Sequence, residues 1–190
     1  MTELVVSELD LTKQREVNEV AKLYVAAFRS SPISFVPDLE GFKREIGEWR
    51  KLKQTANAKI LGVRTKDGKL VATSIGHKAN PAVKDKFLDD LVSRLGGENH
   101  YFLREAAVDP EYRRRGLAQR LLELQIEHAR KLNCGSIFGL VLHSNTPQRS
   151  QLVKNGFEHV FTKQHVVAKR GAVMPLELMC FRKHLHEEKQ

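Results

Sequence analysis

Apolar residues recur along this chain at two spacings, which alternate from one segment to the next. Steps of three and four positions, as between Val17 and Phe28, predict amphipathic helices, whereas short alternating or continuous apolar runs predict strands. The predicted strands are Val5–Leu9, Lys59–Thr65, Leu70–His77, Tyr101–Val108, Ser136–Leu142, His159–Ala168 and Leu176–Lys183. The predicted helices run from Thr12 to Phe28, Leu39 to Leu52, Pro81 to Leu95, Ala118 to Leu132 and Thr146 to Gly156.

The most informative segment joins the strand Tyr101–Val108 to the helix that follows it. Between them lie Asp109-Pro110, a run of arginines from Arg113 to Arg115, and Gly116. Free backbone N–H groups at the start of a helix, together with the helix dipole, favour a bound anion. Glycine lets the backbone approach a phosphate closely because it has no Cβ. The turn is therefore predicted to cradle an anion.

Two motifs in the second half of the chain resemble the GNAT acetyltransferase superfamily. Arg113-x-x-Gly116-x-Ala118 is similar to the family's acetyl-CoA signature, Gln/Arg-x-x-Gly-x-Gly/Ala, and Lys154-Asn-Gly-Phe157 is similar to its Lys-x-Gly-Phe ending. The first half agrees only in the order of its elements. The resemblance implies the GNAT fold, an α/β architecture with a mixed, twisted sheet of about seven strands and helices on both faces. It further implies that the central parallel strands splay apart to admit the pantetheine arm.

The chain length favours a single domain over residues 1–190, with 184–190 as a frayed tail. The resemblance implies acetyl-CoA as co-substrate, bound by its pyrophosphate to the turn. No histidine or cysteine spacing of a metal site is present. The residues expected to bind the cofactor are Ala106, Val108, Arg113, Arg114, Arg115, Gly116, Leu117, Ala118 and Asn145. In the family a backbone N–H at Val108 or its neighbour would hold the oxyanion.

Glu105 is the candidate general base for the acceptor amine. It interrupts an otherwise apolar strand three residues before Val108, where related enzymes often place a catalytic or water-ordering carboxylate. Partial burial would raise its pKa toward the range useful for accepting an ammonium proton. The alternative is a surface pair with Arg104 or another basic side chain. Strand alternation would place Arg104 and Glu105 on opposite faces, which argues against the pair of neighbours.

The chain departs from the family at Leu152, where many members have a tyrosine that protonates the leaving thiolate. Ser150 on the same predicted helix is a candidate replacement. Two alternatives stay open: Ser150 is an ordinary surface serine, and the thiolate leaves unprotonated. Neither Cys134 nor Cys180 has a histidine beside it in sequence, which disfavours a route through an acyl-cysteine.

A net charge of +9 suits a polyanionic cofactor and would also suit nucleic acid. Nucleic acid is disfavoured because the basic residues are interleaved with acidic ones, apart from Arg113 to Arg115. No apolar run reaches the ~18 residues of a membrane span, and the acidic N-terminus lacks the pattern of a signal peptide. With only two cysteines, these features predict a cytoplasmic protein without a membrane partner. The oligomeric state stays open between a monomer and a homodimer.

The leading hypothesis is an N-acetyltransferase that transfers the acetyl group of acetyl-CoA to the amine of a small molecule, by direct attack in a ternary complex. Two alternatives remain. One is a protein acetyltransferase acting on N-termini or lysines, and the other is a non-catalytic CoA-binding or nucleic-acid-associated module on the same fold. The segments expected to form the acceptor site, 28–42 and 162–175, carry no recognisable substrate signature.

Overall fold

A computed structural model of the chain describes residues 3–29, 39–79, 86–97, 99–169 and 172–185. Its strands are β1 (Leu4–Glu8), β2 (Lys59–Thr65), β3 (Leu70–Lys78), β4 (His100–Val108), β5 (Ser136–Leu142), β6 (Glu158–Lys169) and β7 (Ala172–His184). Its helices are α1 (Gln14–Arg29), α2 (Leu39–Thr55), α3 (Lys86–Leu95), α4 (Leu117–Lys131) and α5 (Thr146–Lys154). The predicted order of elements is confirmed. The first residues of the predicted third helix, 81–85, lie outside the described residues.

The strands form one mixed sheet in the order β1-β2-β3-β4-β5-β7-β6, in which only the neighbours β4 and β5 are parallel. Its two faces are covered by different helices. Ile60 of β2 packs in the core formed by α1 and α2, whereas the next residue, Leu61, packs in the core formed by α4. This is the alternation expected of a strand with helices on both faces. The predicted fold is therefore confirmed.

Helices α1 and α2 cover the face of the sheet next to the second half of β4. Their buried residues recur at helical spacing, and α2 buries Phe42, Ile46, Trp49 and Leu52 although it is polar overall. Ala107 of β4 belongs to the same core. The side chains of β4 that point to this face therefore meet the two helices.

The parallel strands β4 and β5 pair over only four positions, His100–Leu103 with Ser136–Gly139. β4 continues to Val108 and β5 to Leu142 without further pairing between them. A cleft therefore opens in the middle of the sheet toward the carboxyl ends of both strands. The cleft confirms the splayed parallel strands that the family resemblance implied.

One predicted feature of β4 is wrong. Ile75 of β3 pairs with Glu105, but the next residue, Gly76, pairs with Leu103, so Arg104 is an extra residue in β4. Such a bulge interrupts the alternation of side chains. Arg104 and Glu105 consequently do not lie on opposite faces, and the charge of Glu45 on α2 acts on both of them.

The frayed tail predicted for residues 184–190 is placed too early in the chain. β7 extends through His184, and Leu185 is buried and donates its backbone N–H to the carbonyl of Gly135 at 3.0 Å. Leu185 packs in the hydrophobic core that also contains Leu152 of α5. Residues 186–190 lie outside the described residues.

Candidate active site

The turn between β4 and α4 is shaped by local hydrogen bonds and two left-handed residues. The carboxylate of Asp109 accepts from the backbone N–H of Glu111 at 3.0 Å and caps a single 3-10 turn, Pro110–Tyr112. Arg114 and Gly116 then have φ angles of +61° and +76°. A left-handed conformation costs a non-glycine residue about 1 kcal/mol, and such strain concentrates at functional sites. The turn is built to hold a particular backbone shape.

That shape presents backbone donors to the outside. Gly116 is the N-cap of α4, and its carbonyl accepts the first helical hydrogen bond, from Arg120 N–H at 2.9 Å. The N–H groups of Leu117, Ala118 and Gln119 precede that bond and point out of the helix end. A Cβ at Gly116 would meet no atom within 4 Å, so the space before these donors is open to a ligand. The expected binding of the CoA pyrophosphate at this turn stays a prediction.

The three arginines of the turn have different surroundings, although all are exposed. Arg113 donates a side-chain hydrogen bond to the carbonyl of Ala27 in α1 at 3.1 Å. Arg115 donates to the carbonyl of Glu111 at 3.2 Å and lies over the ring of Tyr112. Arg114 makes no polar contact within the described part of the chain. Arg114 is therefore the side chain best placed to turn toward a bound phosphate.

Two expected cofactor residues, Ala106 and Val108, lie on the β4 side of the cleft. Asp109 donates its N–H to Val71 of β3 at 2.9 Å. Because successive N–H groups of an extended strand point to opposite edges, those of Val108 and Ala106 point away from β3 and toward the cleft. Ala106 is also exposed. The backbone donor expected to hold the oxyanion thus faces the gap between β4 and β5.

Glu105 lies beside this cleft, on the α1–α2 side of β4. Its residue is only partly exposed, and burial raises the pKa of its carboxyl from 4.5 to about 8. The negative charge of Glu45 on α2 raises the pKa further, whereas the charge of Arg104 lowers it. Burial outweighs Arg104 because a low-dielectric surrounding penalises the charged form. A carboxyl with this pKa can accept a proton from an amine near neutral pH.

Aromatic rings from α1 and α2 pack together on the side of β4 that carries Glu105. Tyr24 stacks on Phe42 with ring centroids 4.9 Å apart and meets the edge of Trp49 at 5.4 Å. Burial, together with the charge of Glu105, raises the pKa of the Tyr24 hydroxyl well above its ordinary value, so it stays protonated. Its oxygen and the Trp49 indole nitrogen are buried without a hydrogen-bond partner among the described residues.

Sequence reasoning missed Tyr24 and Glu45 as neighbours of the candidate base. Tyr24 was assigned only to the apolar side of the first helix, and Glu45 is one of several acidic residues on a polar helix. Helical spacing shows which face of α2 is buried, but not which strand that face meets. The bulge in β4 places Glu105 on the face of the sheet that meets α1 and α2.

Asn145 occupies the N-cap of α5. Its side-chain oxygen accepts from Gln148 N–H at 3.3 Å, and its side-chain nitrogen donates to the Gln148 side chain at 2.8 Å. Thr146-Pro147 is typical of an N-cap followed by proline, but in the structure both residues lie within α5. Asn145 follows β5 by three residues, at the open end of the cleft. Its expected contact with the CoA arm stays a prediction.

Ser150 and Leu152 differ in burial on α5. Ser150 is exposed, whereas Leu152 is packed in the core beneath α4 and α5. At the usual tyrosine position the chain therefore has a core side chain. The proposed role of Ser150 as proton donor stays a prediction.

No group of three metal-binding side chains is found among the described residues. No described helix has both the length and the apolar character needed to cross a membrane. Both cysteines are free thiols and buried. Burial raises the pKa of the Cys180 thiol to about 12, which makes it a poor nucleophile.

Several solved structures share this fold at low sequence identity. A protein from Acinetobacter baylyi ADP1 is 17% identical with a TM-score of 0.71, over 100% of this chain and 98% of that one. An N-acetyltransferase from Staphylococcus aureus Mu50 is 16% identical with a TM-score of 0.70, over 97% and 100%. A Salmonella typhimurium protein solved with its cofactor acetyl-CoA is 14% identical with a TM-score of 0.68, over 98% and 96%. Among curated proteins no sequence matches.

The cleft, the glycine turn and the fold define an acyl-CoA-dependent transferase. The family model of the acetyltransferase (GNAT) family matches residues 17–157, which include both the Arg113–Ala118 turn and the Phe157 motif. The chain belongs to this family and is an acetyl-CoA-dependent acetyltransferase.

Proposed function

We propose that this enzyme acetylates the amine of a small molecule by direct attack in a ternary complex, with Glu105 as general base. The observation that carries the proposal is the position of Glu105. Its carboxyl is partly buried at the edge of the cleft, has a pKa of about 8, and precedes by three residues the N–H of Val108 that points into the cleft. A base and an oxyanion donor thus belong to one short stretch of strand.

The residues of the chain divide the reaction between them. The N–H groups of Leu117 to Gln119 hold the pyrophosphate, and the exposed Arg114 supplies positive charge in the same turn. Glu105 accepts a proton from the acceptor ammonium, and the freed amine forms the new C–N bond at the thioester carbon. Val108 N–H donates to the carbonyl oxygen as negative charge develops there. The C–S bond then breaks as the nitrogen loses its second proton to water, and Ser150 or water gives a proton to the thiolate.

A small acceptor is supported by the surroundings of the base. Glu105 is partly buried on the side of β4 that faces α1 and α2, near the fully buried Tyr24. The amine of a narrow molecule can reach such an enclosed carboxyl more readily than an amine on the surface of a folded protein can. The two buried free thiols support a cytoplasmic location, where thiols stay reduced.

Replacing Glu105 tests the proposal directly. Glu105→Gln keeps the shape of the side chain and removes the proton acceptor, so kcat/KM for acetylation of a panel of small amines should fall by ~100-fold at neutral pH. Part of the loss should recover at high pH, where free amine is abundant. The affinity for acetyl-CoA, measured by calorimetry, should stay within about two-fold.

Three results would contradict the proposal. An unchanged pH–rate profile in Glu105→Gln would remove Glu105 from the reaction. Turnover with peptide N-termini or lysines but with no small amine would indicate a protein acetyltransferase instead. Binding of acetyl-CoA without turnover of any acceptor would indicate a non-catalytic module.

A further inference from the structure

Gln125 is a fully buried amide on the otherwise apolar face of α4. Its side-chain oxygen accepts from the hydroxyl of Tyr101 on β4 at 2.6 Å. Its side-chain nitrogen donates to the Ser74 hydroxyl on β3 at 3.0 Å and to the Lys59 carbonyl on β2 at 3.1 Å. Both donor hydrogens and the oxygen are thus used. Through these hydrogen bonds, Gln125 links α4, which follows the anion turn, to β2, β3 and β4.

The ring of Tyr101 fills the space that a side chain at position 76 would need. A Cβ built on Gly76 would lie 2.4 Å from Tyr101 Cε1, 2.9 Å from its hydroxyl and 2.9 Å from Gln125 Oε1. None of these atoms can yield easily, because Tyr101 is fully buried and hydrogen-bonded. Gly76, Tyr101 and Gln125 therefore form one interlocked unit, here called the Gly76–Tyr101–Gln125 unit.

The unit lies where β4 gains its extra residue. Pairing between β3 and β4 changes register between Ile75 and Gly76, and Arg104 is left over between Leu103 and Glu105. Close packing of a ring against a glycine fixes how β3 and β4 approach each other at this step. A regular strand without the extra residue would move Glu105 to the other side of the sheet, because side chains alternate.

We propose that the Gly76–Tyr101–Gln125 unit is a positioning device, which holds the bulge at Arg104 and thereby turns Glu105 toward the α1–α2 side of the cleft. It acts through the backbone of β4 and touches none of the reacting atoms. The inference rests on the proposed role of Glu105 for its catalytic consequence only. The placement of the carboxyl can be measured without any turnover.

The test compares Tyr101→Phe and Gln125→Leu with the wild-type enzyme. Tyr101→Phe removes one hydroxyl and keeps the ring, so it is the variant that folds most surely. The pKa of Glu105 is read from carboxyl ¹³C NMR, with Glu105→Gln used to assign the signal. Among the described residues, the titratable groups that act on that carboxyl are Tyr24 from α1, Glu45 from α2 and Arg104 from β4.

We expect the Glu105 pKa in both variants to move from about 8 toward its ordinary 4.5, as the carboxyl leaves its enclosure. The value of kcat/KM should fall about ten-fold, while acetyl-CoA affinity changes less than about two-fold. Thr73→Val is the matched control. It removes another buried hydrogen bond of β3, from Thr73 to the carbonyl of Leu61 at 2.7 Å, and should lower the melting temperature without changing the Glu105 pKa or kcat/KM.

The proposal is overturned if Tyr101→Phe and Gln125→Leu behave like Thr73→Val, with lower stability but an unchanged Glu105 pKa. The failure of the general-base role gives a different pattern. In that case the pKa still moves in the two variants, but Glu105→Gln itself retains wild-type kcat/KM.

Discussion

The anion turn Arg113–Ala118 and the surroundings of Glu105 lie at the same end of β4, yet they are built differently. In the turn the donors are backbone N–H groups, the three arginines and Gly116 are exposed, and two left-handed residues set the shape. Around Glu105 the chemistry belongs to side chains, and its character comes from burial and from charges on α2 and β4. The turn is therefore sensitive to backbone shape and bulk, whereas the base is sensitive to its neighbours.

The largest effect is expected where a side chain is added to the turn. Gly116→Asp places a carboxylate into the open space before the helix donors, where it opposes the pyrophosphate by charge and by bulk. We expect acetyl-CoA affinity, measured by calorimetry, to fall ~100-fold or more. Gly68→Asp is the control, because Gly68 also has a positive φ and an open Cβ position, in the β2–β3 turn. Wild-type affinity in Gly116→Asp would contradict the site.

A smaller effect is expected from Ser150, whose hydroxyl is the proposed proton donor to the leaving thiolate. Ser150→Ala should lower kcat about ten-fold with little change in acetyl-CoA affinity, because the proton is needed only as the C–S bond breaks. Exposed Ser144→Ala is the control on the preceding turn. If Ser150→Ala keeps full kcat while chemistry limits the rate, water protonates the thiolate, and α5 contributes no side chain to the reaction.

The smallest effect is expected from charges near the base, and its direction is informative. Glu45→Gln removes a negative neighbour, so the pKa of Glu105 should fall and the rise of kcat/KM with pH should begin at lower pH. Arg104→Gln removes a positive neighbour, so the same rise should move to higher pH. Glu40→Gln, which removes only an exposed partner of Lys43, should leave the profile unchanged. Shifts in the same direction for the first two variants would show that Glu105 does not control the profile.

The turn is easier to predict from sequence than the surroundings of Glu105, for a physical reason. The turn is contiguous, so strand pattern, arginines and Gly116 could be recognised together, and the order of all elements followed from apolar spacing. The surroundings of Glu105 come from three segments far apart in sequence. The bulge at Arg104 depends on how Tyr101 packs against Gly76 of another strand, and no local pattern in β4 reveals that contact. The sequence alone does not decide which residue caps α5, because Asn145 and Thr146 are both good capping residues.

The contact between Gly76 and Tyr101 also limits which substitutions this sequence can accept over evolution. A side chain gained at position 76 has no room until the ring at position 101 becomes smaller, and a smaller residue there leaves the oxygen of Gln125 unpaired. Each single step is harmful, so an inherited change at one position requires changes at the others almost together. Descendants of this chain should therefore keep all three residues or replace them as a set.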